Sequence, residues 1–343
     1  MVGTTEIKPD YAVPSMAQVQ DIPWNGLDVV STFSGCGGTC LGYRMAGYRV
    51  LWSNEYIPLA QNVYQLNHPD AILDRRDIRE ITGSDILQSI NRSVGDVDVL
   101  EGSPPCSAFS LAGLAYRRGK MPDEYGDKLN DTGFMFWEFI RIVNDIKPRV
   151  FVAENVSGLV RGVSKGQFKW IYQELRECGY RIEARVLDAS WLGVPQARQR
   201  LFIQGVRNDL DIDPSFPRPL PYQYTVADVM PYICQIKLGS GDVGLHPRAK
   251  WSDPRRPFAT ICQSDYQTHS SAALSSGGWV RDGGGTRRLT IDELKIISSF
   301  PDDFKLTGTW RQQWERLGRA VPPLLAKAIA DHIRDNVFGR LDE

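Results

Sequence analysis

LDVVSTFSGCGGTCLGYRMAGY, residues 27–48, decides the fold. The first seven residues are apolar and β-branched, which suits a strand buried on both faces. The run then breaks into glycines and resumes as an apolar-periodic, helix-forming stretch. A buried strand, a Gly-rich turn and a helix is the opening unit of a doubly wound α/β sheet.

Outward from that unit the pattern repeats. YRVLWSNE (48–55) reads as a strand ending in an acid, and QNVYQLNH (61–68) as the helix after it. DVDVLEGSPPC (96–106) is a strand running into a Pro-Pro loop. TGFMFWEFIRIVNDIKP (132–148) has helical spacing and stops at Pro148. RVFVAENV (149–156), RIEARVLDA (181–189) and RQRLFIQGV (198–206) are further strands, and FKWIYQELRECGY (168–180) is an amphipathic helix. Ligands of such sheets bind beyond the carboxyl ends of the strands. Residues 34–38, Glu55, Asp77, Cys106 and Glu154 all follow predicted strands and are expected on one rim. From about residue 207 the texture turns rich in Pro, Asp, Gly and Ser. Hence the expected organisation is a loose arm over 1–22, a catalytic and cofactor-binding domain over 23–206, a small second domain over 207–286, and a return to the first over 287–343.

Bulk properties narrow the function. A chain of 343 residues holds one large domain and a smaller one. The net charge of −1 means that any contact with nucleic acid rests on a local basic face. No apolar run approaches a membrane span of about 20 residues, and no secretory signal opens the chain, so a cytoplasmic setting without membrane contact is expected. The six cysteines are scattered, which gives no disulfide framework. Cys36 and Cys40 lack the second pair or histidines that would complete a zinc site, and no metal is expected.

Several residues carry candidate chemistry. Phe33, Ser34, Gly35, Cys36, Gly37 and Gly38 form a turn that lets a ligand approach the backbone, although an ordinary strand-to-helix turn explains the same residues. Glu55 suits a ribose diol, Tyr56 an adenine face and Asp77 an adenine amino group. Each alone reads equally as a surface residue. Together they describe an adenosine pocket. Pro104 and Pro105 make a rigid mount for Cys106, whose alternative is a buried structural thiol. Glu154 ends a strand, and Arg198 and Arg200 alternate along another, so both guanidinium groups are expected to face one site.

Taken in order, the motifs DVVSTFSGCGG, SNEY, RRDI, GSPPCSAFS, NDTGFMF, ENV, GVPQARQRLF, RRLTIDELKIISSFPDDF and GRAVPPLLA make the chain resemble the DNA (cytosine-5) methyltransferases. They span almost everything outside the second domain. The resemblance implies a Rossmann-like methyltransferase fold binding S-adenosyl-L-methionine, with a target-recognition domain over about 207–286. It implies a partner in double-stranded DNA, action as a monomer, and a bacterial or phage-infected cell. Cys106 is then the nucleophile at cytosine C6, Glu154 the group at N3 and Arg200 the group at O2. Arg198 positions the loop or the substrate, and the base is flipped out of the helix. In the second domain Thr260 and Ile261 match the family's recognition-loop pair, and Arg255 and Arg256 are candidate phosphate contacts. A catalytically silent DNA-binding relative is the reading from another class; intact Cys106, Glu154, Arg198 and Arg200 speak against it. An RNA-directed member of the family carries a Cys-Phe-Thr signature that this chain lacks.

One position departs from the pattern. The closing motif is Gly-Asn-Ala-Val in the family and Gly318-Arg319-Ala320-Val321 here. The resemblance places that asparagine near the donor end of the cofactor, beside a sulfonium cation. Two like charges about 5 Å apart at an effective dielectric near 20 repel by roughly 3 kcal/mol. A donor bearing a carboxylate, carboxy-S-adenosyl-L-methionine, turns this repulsion into a guanidinium–carboxylate pair and would leave 5-carboxymethylcytosine. The alternatives are that Arg319 turns to solvent or DNA phosphate, or pairs with the cofactor's amino-acid carboxylate.

Overall fold

The chain was analysed as a computed structural model, which describes residues 8–105, 135–160, 165–238, 252–263 and 278–341. Its frame is a seven-stranded sheet. The strands are β1 (Asp28–Thr32), β2 (Arg49–Asn54), β3 (Ile72–Asp74), β4 (Val99–Gly102), β5 (Val150–Val156) and β6 (Tyr180–Asp188), with the two-residue β7 (Gln196–Ala197) leading into β8 (Gln199–Arg207). The order is β3-β2-β1-β4-β5-β8-β6. The first five are parallel, and β8 runs antiparallel between β5 and β6. The doubly wound, mostly parallel sheet expected from the sequence is therefore present.

All five residues of β1 are buried, because helices cover both faces. One face packs against helices Gly38–Met45 and Pro323–Asn336 through Val29, Val99, Val152, Leu325 and Ile329. The other packs against helices Gly83–Ser89, Met135–Ile146 and Lys165–Glu177 through Val30, Leu100, Phe139, Phe151 and Ile203. The strand order reverses between β1 and β4, so the crevice of this sheet lies at their carboxyl ends. Those ends carry the Gly-rich turn and the Ser103-Pro104-Pro105 approach to Cys106.

The closing helix is fitted to the turn at contact distance. A Cβ on Gly42 would stand 2.4 Å from Ala326 Cβ and 2.5 Å from Pro323 O, and one on Gly38 would stand 2.3 Å from Val321 O. Small residues at both positions are a packing requirement.

The second region is more regular than its composition implies. The strands β9 (Gln235–Leu238), β11 (Gly278–Asp282) and β12 (Gly285–Arg288) form a small antiparallel sheet, and β10 (Phe258–Ala259) pairs in parallel with β7. The strands are too short for period-two alternation to stand out. A third core, containing Ile236, Phe258, Ile261, Val280, Phe300 and Trp314, joins this region to Cys36, Leu41 and Met45 of the first. Residues 8–20 are not a loose arm. They include a capped helix, Met16–Gln20, whose Val19 is buried. Tyr11 donates to Ile296 O at 3.0 Å, and Lys8 pairs with Asp228 at 2.7 Å. The prolines at 9, 14 and 23 mark bends in a packed strap rather than disorder.

Candidate active site

Beyond β1 the backbone enters the left-handed region at Phe33, Gly35 and Gly37, with φ of 55°, 58° and 89°. That conformation is costly for an aromatic residue. It is held by Ser34 N donating to Asn54 O at 2.9 Å and by Gly35 N donating to Glu55 Oε2 at 2.8 Å. The other oxygen of Glu55 accepts from Ile57 N at 2.6 Å. Glu55 is thus a buried acid held by two main-chain donors and aimed at the crevice from the end of β2. Burial raises its pKa, opposed by those amides and by Arg316 and Arg319. Tyr56 beside it exposes 39% of its surface. The turn, the acid and the exposed ring fit the adenosyl half of S-adenosylmethionine.

Asp77 stands differently. It caps the turn Ile78–Glu80 and pairs with Arg79 at 2.8 Å. Its carboxylate accepts from the main chain and the guanidinium of Arg79. Cys36 is buried, with its sulfur 3.7 Å from Arg316 O, and burial pushes its thiol up to about 11. It packs the turn and offers no thiolate. Cys40 Sγ lies 3.7 Å from Glu101 Oε1, in a separate environment. Among the described residues no group of three or more His, Cys, Asp and Glu side chains gathers as a metal site.

On the far side of the crevice Glu154, from β5, meets Arg200, from β8, with Oε1 and Nε 3.0 Å apart and both side chains largely covered. Asn155 donates to Pro104 O at 3.2 Å and so fixes the Pro-Pro loop against β5. Cys106 lies outside the described residues, as does the NDTGFMF motif up to residue 134. The mount is described up to Pro105, one residue short of the thiol.

Arg198 and Arg200 have different partners. Only 2% exposed, Arg198 donates to Ile261 O at 2.9 Å, Gly318 O at 3.0 Å and Arg319 O at 3.4 Å. It pins the entry of β8 to the segment at Ile261 and to the closing motif. Burial alternates through the step from β7 into β8, with Gln196 and Arg198 buried and Ala197 and Gln199 exposed. Ile261 is fully buried in the third core, so its side chain is a packing group here and not a surface contact. Thr260 donates to Ala197 O at 2.6 Å. Gln196 Oε1 accepts from Ile261 N at 3.2 Å, and Trp314 donates to Cys262 O at 3.1 Å. Arg255 and Arg256 are exposed, and Arg255 pairs with Asp253 at 2.7 Å.

The closing motif sits where expected, on the Gly-rich turn: the Cβ of Ala320 lies 3.4 Å from a Cβ built on Gly38. Arg319 is the last residue of helix Trp310–Arg319 and is about a third exposed at its side chain. Its Nε and Nη2 both reach Glu315 Oε1 at 3.0 Å, a partner not foreseen above.

Two further residues escaped the sequence reading. Glu101, on β4, is 2% exposed and accepts from Ser31 Oγ, which lies 2.7 Å from Ser34 Oγ. Burial, with Glu154 adding to it, raises its pKa to about 7. Glu315, one turn before Arg319, was visible only as an i,i+4 pair on a helix whose face was unknown.

Comparison with known proteins follows this geometry. The profile of the family described as C-5 cytosine-specific DNA methylase matches residues 27–238 and 239–335. The chain is 31% identical over 333 residues to Type II methyltransferase M1.HphI of Haemophilus parahaemolyticus, covering 90% of this chain and 86% of the relative. It is 30% identical over 347 residues to M.FnuDI of Fusobacterium nucleatum, covering 91% and 95%. Among solved structures, a chain assigned as a DNA modification methyltransferase encoded within an E. coli prophage aligns with a TM-score of 0.66 at 22% identity, covering 91% of this chain and all of that one. A DNMT2 mutant from Spodoptera frugiperda aligns with a TM-score of 0.64 at 18% identity, covering 93% and 100%. These last two similarities bear on the fold alone.

Proposed function

This chain belongs to the C-5 cytosine-specific DNA methylase family, and from that premise we propose that it alkylates a flipped-out cytosine in double-stranded DNA through a Cys106–C6 adduct. As an enzyme of the DNA cytosine-5 methyltransferase type, its family donor is S-adenosylmethionine, which supplies an electrophilic one-carbon group on a sulfonium. The observation that carries the reading is the Glu154–Arg200 pair at the mouth of the crevice. A cytosine presents N3 and O2 side by side, and an acid and a guanidinium 3.0 Å apart match that edge. Addition of the Cys106 thiolate to C6 makes C5 enamine-like. Glu154 would hold N3 and favour its protonation, and Arg200 would bind O2, so that the negative charge this addition puts on the ring is neutralised. After transfer, loss of the C5 proton and expulsion of the thiolate restore the aromatic ring. The enzyme acts as a monomer, with Arg255, Arg256 and Thr260 on the DNA side.

We further propose that the transferred group is carboxymethyl, from carboxy-S-adenosylmethionine. Arg319 supports this reading: a guanidinium beside the Gly-rich turn and electrostatically coupled to Glu55 is a partner for an anionic donor. Its ion pair with Glu315 supports the second reading, ordinary methyl transfer, because a neutralised arginine repels a sulfonium far less.

The test for the chemistry is a duplex bearing 5-fluorocytosine, whose fluorine cannot leave. Wild type should form a denaturant-resistant complex, and Cys106→Ser should bind DNA without trapping or turnover. Turnover by the Ser variant would remove Cys106 from its role. Nucleoside mass spectrometry with both donors present distinguishes 5-carboxymethylcytosine from 5-methylcytosine.

A further inference from the structure

Helix Trp310–Arg319 brings four charges together beside the Gly-rich turn. Glu315 is 12% exposed at its side chain, and its Oε1 takes both Nε and Nη2 of Arg319. Its Oε2 lies 3.4 Å from Nη2 of Arg316, a residue 4% exposed. The same two arginines act on the buried Glu55 carboxyl across the turn. Two acids and two guanidinium groups therefore balance, and Glu315 is the member that touches both cations.

The geometry at Arg319 is a fork closed on an internal carboxylate. Guanidinium groups bind carboxylates through paired N–H donors. Glu315 already draws on two of the nitrogens that an incoming carboxylate would use. It also cancels most of the field that Arg319 would project toward a cationic donor, since the pair is half-buried and poorly screened.

We propose that Glu315 is the specificity-determining residue of the donor site, setting by its charge how strongly Arg319 discriminates between a cationic and an anionic donor. This rests on the reading that the closing motif faces the donor end of the cofactor. With Glu315 ionised, the site tolerates a sulfonium, and a donor carboxylate must share the fork. Without that charge, Arg319 acts on the donor with more of its positive field, which disfavours the sulfonium and favours a carboxylate.

The experiment is calorimetric titration of the full chain with S-adenosylmethionine and with S-adenosylhomocysteine, which differ at sulfur by one positive charge. Glu315→Gln keeps the volume and the acceptor oxygen. It should weaken S-adenosylmethionine relative to S-adenosylhomocysteine by about tenfold, equivalent to about 1.4 kcal/mol. Glu315→Asp, which keeps the charge, should stay within about threefold of the wild-type ratio. Arg319→Asn added to Glu315→Gln should restore the ratio. An unchanged ratio in a Gln variant that still binds S-adenosylhomocysteine overturns the proposal, and so does equal loss of both ligands. Product mass with both donors present separates this proposal from the donor reading. If Glu315→Gln shifts the binding ratio but every variant makes only 5-methylcytosine, Glu315 tunes charge in an ordinary methyltransferase. If 5-carboxymethylcytosine forms and the Gln variant enriches it, both stand.

Discussion

Arg198 offers the sharpest test of how the two regions are joined. Its guanidinium reaches main-chain oxygens at 2.9, 3.0 and 3.4 Å, on Ile261 and on the closing motif. Hydrogen bonds from a charged donor contribute about 1.5–3 kcal/mol each, and an acceptor left dry costs a similar amount. Counting the two shorter bonds fully and the third as weak, Arg198→Met should destabilise by about 3–5 kcal/mol. The apolar replacement recovers part of the desolvation cost of a buried charge, which favours the lower end. Arg198→Lys, with one compact ammonium in place of a planar fork, should lose about half as much. The assay is equilibrium unfolding in urea, with m compared between variants so that a changed unfolded state is not mistaken for a lost contact. Proteolysis should cut first near residues 258–263 in the Met variant. A Met variant within about 1 kcal/mol of wild type refutes the reasoning: the three carbonyls would then have other donors, and something else would hold residues 258–263 to β8.

Further predictions concern Glu101, Gly38 and the DNA face. The Glu101 carboxyl, raised to about 7 by burial, binds a proton more tightly in the native state than in the unfolded one. Its contribution to stability is therefore present at and below the unfolded pKa and is lost as pH rises through about 7. Glu101→Gln should gain on the order of 3 kcal/mol relative to wild type between pH 4.5 and pH 8, and a gap independent of pH would refute the assignment. Gly38→Ala drives a methyl into Val321 O, 2.3 Å away, and should destabilise by about 1–3 kcal/mol. It should also weaken S-adenosylhomocysteine binding in titration calorimetry, because the closing motif must lift from the turn; unaltered affinity would count against that seating. Replacing Arg255 and Arg256 with Gln should lower the slope of log K against log salt for duplex binding by about 1.8, or about 0.9 per phosphate lost. An unchanged slope would place both away from the DNA backbone.

What the sequence disclosed follows from how locally each feature is encoded. β1, β4 and β5 are central and covered on both faces, so unbroken apolar runs betray them, and the turns between strand and helix are written in Gly and Pro. Glu55 and Glu154 were legible because a strand end is a fixed place in this topology. Asp77 was legible as a position but not as a conformation: whether it caps its own turn or faces a ring depends on Arg79, two residues away, and two-residue spacing fixes no rotamer. The partners of Arg198 were hidden because Ile261 and Gly318 are remote in sequence, and period-two spacing says which side a residue faces but not what waits there. The packing of Ile261 was hidden for a different reason. Its burial is created by Trp314 and Phe300, far away in sequence, and no local pattern announces a long-range contact.

Arg319 shows the same limit where it matters most for function. A motif comparison isolates one residue and asks what its charge does to a ligand. The answer read from sequence, a cation facing a cation, treats the arginine as bare. The fold supplies a second term of opposite sign and comparable distance: Glu315 holds the guanidinium at 3.0 Å, closer than the roughly 5 Å taken for the sulfonium. A sulfonium near this pair would feel the repulsion of Arg319 and the attraction of Glu315 together, so the net repulsion is smaller than for a bare arginine and the substitution alone does not exclude the ordinary donor. On the proposal above, donor preference depends on Glu315 as well as on Arg319. An asparagine at the same position would leave Glu315 with Arg316 at 3.4 Å but without the second guanidinium. The pair has to be read together, and Glu315 and Arg319 should therefore change donor preference jointly: each single neutralisation should move the ratio of cationic to neutral ligand binding in opposite directions, and the double variant should sit between them.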